Sequence, residues 1–494
     1  MFIGIDLGTS SVKIILIDSR QKIIANHSEP IKLINIKDGY YEQDPEIWYK
    51  TTLKCFSNIK KKNPKEFSSV LSLGISGQMH GATLIDKDHK ILRNCILWND
   101  TRSVDQCYEL ENSYSNLHEE TGNIAMPGFT SPKIMWLKKN ENDIFKKIYK
   151  VLLPKDYLRF RLTGEFYTDM SDASGTLWLN VKNRMWSHGL LNTTDLSTDH
   201  MPKLVEGNEA TSFVKKSLAN KIGFTNQVLV AGGAGDQAAG ATGSGVVKPN
   251  QSIISLGTSG VYFSPSEKFT YNTSQAVHSF CHCIPNTWHN MSVMLSATNC
   301  LNWIIKILNL DINTALNLIK KISNDNVSLL SAPYFLPYLS GERTPHNNPY
   351  IRGSFHMLNT ITSKNALLYS VMEGVTFGIR EGFEAVEKIN PNTTETYIVG
   401  GGSKSDIWIN MLSSSLNKSL IMGEDTNMGP SLGAARLAML STNNFNMKDV
   451  LKKMTIKKET VIDEKLSENL EKRFQIWKEI VIANESISKK LMNR

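Results

Sequence analysis

Ile5-Asp6-Leu7-Gly8-Thr9-Ser10-Ser11-Val12 opens the chain, and Ile254-Ser255-Leu256-Gly257-Thr258-Ser259-Gly260-Val261 answers it 249 residues later, counted from Leu7 to Leu256. The shared Leu-Gly-Thr-Ser is flanked in both places by β-rich runs. Phe2-Ile3 and Ile253-Ile254 precede it; Val12 to Ile17 and Val261-Tyr262-Phe263 follow it. Each copy reads as strand, tight turn, strand. A four-residue match half a chain apart, in the same local context, is the mark of a duplicated unit. Two similar α/β domains are therefore expected, residues 1–246 and 247–494.

Length and composition agree. The 494 residues suffice for two to four domains at about 100–200 residues each. Hydrophobic residues are 41% and charged ones 21%, which excludes wholesale disorder and collagen-like repeats. No window of 18 uninterrupted apolar residues exists, so no membrane span is expected. The nearest, Val228 to Val247, is mostly Gly and Ala with Asp236 and Gln237 in its middle. Lys and Arg number 55 against 47 Asp and Glu, a net charge of +8. The lysines are scattered and form no basic stripe, so a nucleic-acid partner is not expected. The first residues lack a secretory pattern, and six cysteines in this length are sparse. A reduced, cytoplasmic protein is expected; a homodimer is compatible with the sequence.

Elements can be placed coarsely. Leu71 to Ile75 and Tyr397 to Val399 read as buried strands. Residues 366–389 read as a helix, with Leu367, Val371, Val375 and Ile379 four apart. In the tail, 464–492, Leu466, Leu470, Phe474, Trp477 and Val481 recur at helical spacing, as a face that docks on the second domain.

Three glycine-rich segments carry chemistry. In the first turn, Gly8, Thr9, Ser10 and Ser11 can present N–H groups and hydroxyls to phosphate oxygens. Asp6 just before it suits Mg²⁺, a hard ion that prefers oxygen. A polar hairpin tip is the alternative, but the second copy at Gly257, Thr258 and Ser259 favours a nucleotide gripped from both sides. The second segment, Gly232 to Gly240, surrounds Asp236 with residues almost without side chains, at a strand-to-helix junction where N–H groups favour negative charge. Asp236 can there accept the proton of an attacking hydroxyl in phosphoryl transfer; a helix N-cap is the alternative. The third, Gly400-Gly401-Gly402-Ser403-Lys404-Ser405, offers bare backbone to adenine or ribose. It lacks the last glycine of a dinucleotide fingerprint, so NAD is not expected.

These blocks, with Gly77-Gln78-Met79-His80-Gly81, Leu97-Trp98-Asn99-Asp100, Met126 to Lys133, Leu153 to Tyr157 and Ser340 to Pro345, resemble the FGGY carbohydrate kinases over roughly residues 1–440. That family lies within the sugar-kinase, actin and heat-shock-chaperone ATPase superfamily. The resemblance implies an α/β fold of two RNase H-like domains with a cleft between them, and an ATP-dependent kinase using Mg²⁺. It implies transfer of the γ-phosphoryl group to the 5-hydroxyl of D-xylulose, in D-xylose catabolism. Another ketose or a polyol is the alternative acceptor; a non-enzymatic actin- or chaperone-like nucleotide-binding protein is the alternative of another class. By resemblance Asp236 is the catalytic base, Met79 and His80 bind the sugar, and Asp6 lies near metal and phosphates. The turns at 8–11 and 257–260 become phosphate loops, and Gly401, Gly402 and Ser403 the nucleotide side.

Some positions stay open. His80 can bind a sugar hydroxyl and Met79 pack on the carbon skeleton, or both can be core. Asp100 and Arg102 can reach polyol hydroxyls or shape the pocket, with a structural salt bridge as the alternative. Arg343 and His346 can line the cleft or pack within their loop. Met428 stands where the family often carries an acid. Cys281-His282-Cys283 is not read as a zinc site, because strand alternation splits the set and no second pair completes it.

Overall fold

The computed structural model describes residues 1–323, 331–391, 393–424 and 429–492; Met428 lies outside them. Both quoted stretches form antiparallel hairpins. β1 (Phe2–Leu7) faces β2 (Ser11–Ile17), with Leu7 opposite Val12. In the second half Gln251–Leu256 faces Gly260–Ser266, with Leu256 opposite Gly260.

The duplication extends well beyond the turns. The first sheet runs Ile23–Pro30, β2, β1, Ser72–Gly77, Leu229–Ala231, Ala210–Phe213, with Ala234–Gly235 also on Ser72–Gly77. The second runs Trp288–Met294, Gly260–Ser266, Gln251–Leu256, Glu395–Val399, Leu420–Gly423, Ile456–Glu459, with His278–Cys281 added at one edge. Across these six strands the sense of pairing is the same in both sheets: antiparallel twice, parallel twice, antiparallel once.

Both faces of β1 are covered, which explains why it is apolar except at Asp6. Ile3, Ile5 and Leu7 enter one core with Val12, Leu73 and Ile75. Phe2, on the other face, packs with Ala435 and Met439. Asp6 shares that second face, at the strand end.

The helix Gly429–Ser441 belongs by sequence to the second half, yet it lies on the first sheet. The expected boundary at 246 therefore separates the chain but not the packing. Its partner is the helix Asp236–Gly243, and small residues let the backbones meet. A Cβ on Gly433 would overlap Ala239 O, and one on Gly243 would overlap Gly429 O. Gly4 and Gly74 meet the same helix through Ser431 O and Ala434 O. Arg436 closes the crossing by donating to Thr242 O (2.8 Å) and Gly243 O (3.1 Å).

The central helix Lys364–Glu387 and the tail helix Glu464–Met492 bear out the periodic readings. Leu470, Phe474, Trp477 and Val481 are buried in the second core, and Trp477 Nε1 donates to Phe335 O at 2.8 Å. Arg473 pairs through two N–H groups with buried Glu373, both at 2.7 Å. The strand expected to carry Cys281 and Cys283 ends at Cys281. Its alternation does not extend to Cys283, which hydrogen-bonds Thr242 and Ala238 instead. No metal-binding cluster of His, Cys, Asp and Glu occurs among the described residues. No helix among them is long and apolar enough to cross a membrane.

Candidate active site

Asp236 is the first residue of its helix, directly after the strand Ala234–Gly235. It is half-buried. Burial pushes its carboxyl up to about 6, against hydrogen bonds from Gln237 that pull it down. Asp6 feels both burial and the Asp236 charge, and its carboxyl rises to about 7 despite Lys13. The two carboxylates thus share one electrostatic site although 230 positions separate them. Among the described residues no hydrogen bond reaches the Asp6 side chain. A pair of carboxylates brought together in this way, one of them without a donor among the described residues, fits a hard divalent cation.

The loop before Asp236 is held from behind by buried charge. Arg159 donates to Ala231 O (2.6 Å) and Gly232 O (2.5 Å). Gly235 N donates to Ser171 Oγ (3.1 Å), and Ser171 Oγ donates to Asp169 (2.5 Å). Asp169 in turn pairs with Lys155 at 2.9 Å, beside Asp156 and Asp172, all fully buried. Lys155-Asp156 was legible as a motif; its task of bracing the carboxylate loop was not.

Met79 and His80 sit against this loop. A Cβ on Gly235 would come within 2.9 Å of Met79 Sδ, so the thioether lies over the residue before Asp236. His80 is half-buried and has φ +68°, the left-handed region that a histidine adopts only when surroundings impose it. Its carbonyl is clamped by Thr130 Oγ1 and Lys133 Nζ, both at 3.0 Å. Nδ1 lies 2.7 Å from Gly175 O and must donate to it. Burial, then the charges of Lys133 and Arg343, hold the imidazole near pKa 3. His80 is therefore neutral with its proton on Nδ1, and Nε2 is an acceptor with no partner among the described residues.

The first turn is wired to the Gln78–His80 loop. Thr9 Oγ1 donates to Gln78 Oε1 (3.1 Å) and accepts from Trp98 Nε1 (2.9 Å). Gln43 donates to Thr9 O (2.6 Å) and accepts from Gln78 Nε2 (2.9 Å) and Trp48 Nε1 (3.0 Å). Gln43 was invisible in the sequence, since nothing local distinguishes it. Ser10 is exposed, and Gly8 and Ser11 are half-buried. The second turn leaves Thr258 and Ser259 exposed and feeds its carbonyls to the start of the helix Thr298–Ile307, through Thr298 N to Gly257 O (3.0 Å) and Ala297 N to Thr258 O (2.8 Å).

The glycine triplet divides by role. Gly400 has φ +99°, and a Cβ there would lie 2.6 Å from Leu256 O; a Cβ on Gly402 would overlap the Leu256 side chain. Both seat the triplet against the second turn. Gly401 meets nothing within 4 Å and presents bare backbone. Ser403 Oγ donates to Gly400 O at 2.7 Å.

Asp100 and Arg102 lie elsewhere in the layering. Arg102 gives two N–H groups to Asp100 (2.9 and 2.7 Å) and one to Glu42 (2.9 Å), and its guanidinium stacks on Tyr40. Asp100 also accepts Tyr41 N at 2.7 Å. Both are nearly inaccessible, 0% and 2% at the side chain. The salt-bridge alternative is the one this geometry realises: their polar groups are spent on each other, and direct contact with a polyol is not what they offer. His346 is likewise committed, to Glu381 (3.0 Å) and Glu485 (2.7 Å).

Comparison with known proteins bears on the whole chain. Residues 1–243 match the FGGY family of carbohydrate kinases, N-terminal domain, and residues 253–442 its C-terminal domain. The chain is 45% identical over 443 residues to the xylulose kinase of Escherichia coli (strain K12), covering 90% of each protein. It is 36% identical over 446 residues to the xylulose kinase of Bacillus subtilis (strain 168), covering 90% of this chain and 88% of that one. In three dimensions it is similar to a xyloylose kinase from Brucella ovis, with TM-score 0.94 and 40% identity over 98% of this chain and 99% of the other. A Plasmodium falciparum glycerol kinase with ADP shares the fold, with TM-score 0.86 and 21% identity over 98% and 97%.

Proposed function

Since the chain belongs to the FGGY family of carbohydrate kinases and is an ATP-dependent sugar kinase, we propose that it moves the γ-phosphoryl group of ATP to the 5-hydroxyl of D-xylulose. The products are D-xylulose 5-phosphate and ADP. The observation that carries this reading is the packing of Met79 over Gly235, which sets the sugar-binding pair against the loop of the base.

Asp236 accepts the proton of the C5 hydroxyl as its oxygen attacks the γ-phosphorus; the bond from phosphorus to the β-bridging oxygen breaks and ADP leaves. A carboxyl near pKa 6 is basic enough to take that proton and still ionised at pH 7. His80 Nε2 accepts from a sugar hydroxyl and Met79 covers the carbon chain. The turns at Thr9, Ser10 and Ser11 and at Thr258 and Ser259, with Gly8 and Gly257 turning the backbone, receive phosphate oxygens, the exposed groups being those of Ser10, Thr258 and Ser259. Gly401, backed by Gly402 and Ser403, faces the adenosine. Asp6 is the residue to hold Mg²⁺, which supplies charge neutralisation on the triphosphate when bound. On this reading residues 1–246 carry sugar and base, residues 247–494 carry the nucleotide, and the setting is cytoplasmic, in keeping with six unpaired cysteines.

A coupled ADP-release assay across pentuloses, hexuloses and polyols tests the acceptor. D-xylulose should give the highest kcat/KM. A better acceptor elsewhere in the panel, or ADP release indifferent to sugar, sinks the proposal.

A further inference from the structure

The second half of the chain brings an arginine toward the Met79–His80 site. The backbone around Arg343 is pinned on both sides. Glu342 Oε1 accepts Leu295 N and Arg343 N, both at 2.8 Å. Thr344 Oγ1 donates to Ala276 O (2.9 Å), and Thr344 N donates to Val293 O (3.1 Å). Arg343 is half-buried, yet it forms no ion pair with any carboxylate among the described residues. The one hydrogen bond of its guanidinium among the described residues is long, 3.4 Å from Nη1 to His278 Nε2.

That histidine fixes where the guanidinium sits. His278 Nδ1 lies 3.0 Å from Asn123 Oδ1, so Nδ1 donates and Nε2 accepts. The His278 ring meets Phe129 at 5.6 Å, and Phe129 meets the His80 ring at 4.8 Å. Phe280 touches all three rings. Arg343 and His80 thus border one aromatic cluster, drawn from both halves of the chain. The charge of Arg343 also contributes to keeping His80 unprotonated.

The cluster is bordered by a complementary set of polar groups. His80 Nε2 can only accept. The guanidinium has five N–H donors, no acceptor, and one donor in use. A polar ligand there must offer a hydroxyl to His80 and an acceptor to Arg343. A 2-ketose does this, because its C2 carbonyl oxygen accepts and cannot donate. The C2 hydroxyl of a polyol of the same skeleton can also accept from Arg343, but it adds a proton that needs an acceptor, and the guanidinium offers none.

We propose that Arg343 is a substrate-binding residue, donating to the C2 carbonyl oxygen of the ketose and selecting ketoses over the polyols formed by reducing that carbon. This rests on the acceptor proposed above. A site lined by donors discriminates against an analogue whose added O–H finds no acceptor there.

The test compares wild type, Arg343→Met and Arg343→Lys, with D-xylulose as substrate and xylitol and D-arabinitol as competitive inhibitors. Arg343→Met should raise KM for D-xylulose about 10- to 100-fold. KM for ATP, the inhibition constants of both polyols and the unfolding temperature should hold. Arg343→Lys, keeping charge and donors but not the planar fork, should recover part of the loss. An unchanged KM for D-xylulose overturns the assignment. So does an equal loss for ketose and polyols, which marks a structural role, or a loss in KM for ATP, which marks a phosphate contact. A wild-type protein inert toward D-xylulose overturns the acceptor reading and this one with it; the other failures all occur in an enzyme that phosphorylates D-xylulose.

Discussion

Asp236 owes its usefulness to a compromise between desolvation, which raises its proton affinity, and the helix N-terminus, which lowers it. Removing the carboxylate in Asp236→Ala should cut kcat by about 10²–10⁴-fold, with D-xylulose binding retained in calorimetry; turnover near the wild-type rate refutes the role. Since the base must be ionised, kcat/KM should fall as pH drops through about 6, the value that burial sets. The same shift has a stability sign. A carboxyl whose folded pKa exceeds its unfolded value of 3.8 binds more protons when folded, so between about pH 4 and 7 its contribution to stability declines as pH rises. Asp236→Asn should therefore unfold at a higher temperature than wild type at pH 8, and the gap should narrow by pH 5. A gap that widens on acidification contradicts the burial assigned here.

Among the elements, the crossing of Asp236–Gly243 with Gly429–Ser441 is the most exposed to substitution. Gly433→Ala puts a methyl group into Ala239 O and should cost about 1–3 kcal/mol in denaturant unfolding. Gly401→Ala, with nothing within 4 Å, should leave the unfolding transition unmoved and act, if the adenosine lies there, on KM for ATP alone. Glycines near each other in sequence thus answer differently, and only packing says which. The same contrast explains what was legible. The Gly-Thr-Ser turns and the Gly235-Asp236 junction announce themselves because their chemistry is local. The helix at 429–441 escaped notice because it is buried on several sides by small residues and has no amphipathic stripe. Gln43 escaped because its partners, Thr9 and Gln78, lie 34 and 35 positions away. Asp100 and Arg102 were recognised as a motif, but whether a buried pair faces substrate or only itself depends on Glu42, 58 positions before Asp100, and on Tyr40.

At the scale of the molecule, the repeated half explains a site made from both ends of the chain, and the tail makes the second half stable. The helix Glu464–Met492 lies past residue 442, where the family match stops, yet it supplies Leu470, Phe474, Trp477 and Val481 to the second core. A chain ending at Asp463 should lose its cooperative unfolding transition and its ATP binding together; a truncated protein that still binds ATP with native affinity would show that the helix is dispensable. Arg473→Met leaves Glu373 charged, buried and alone, and should cost about 3–5 kcal/mol.

The bond from Thr9 to Gln78 joins the Gly8–Ser11 turn to the residue beside Met79. Whatever stiffens one end of that short tether stiffens the other. Any coupling this tether carries must act by an equal factor in both directions, so a change of affinity at the Met79 end is matched at the Gly8–Ser11 turn through a single shared hydroxyl.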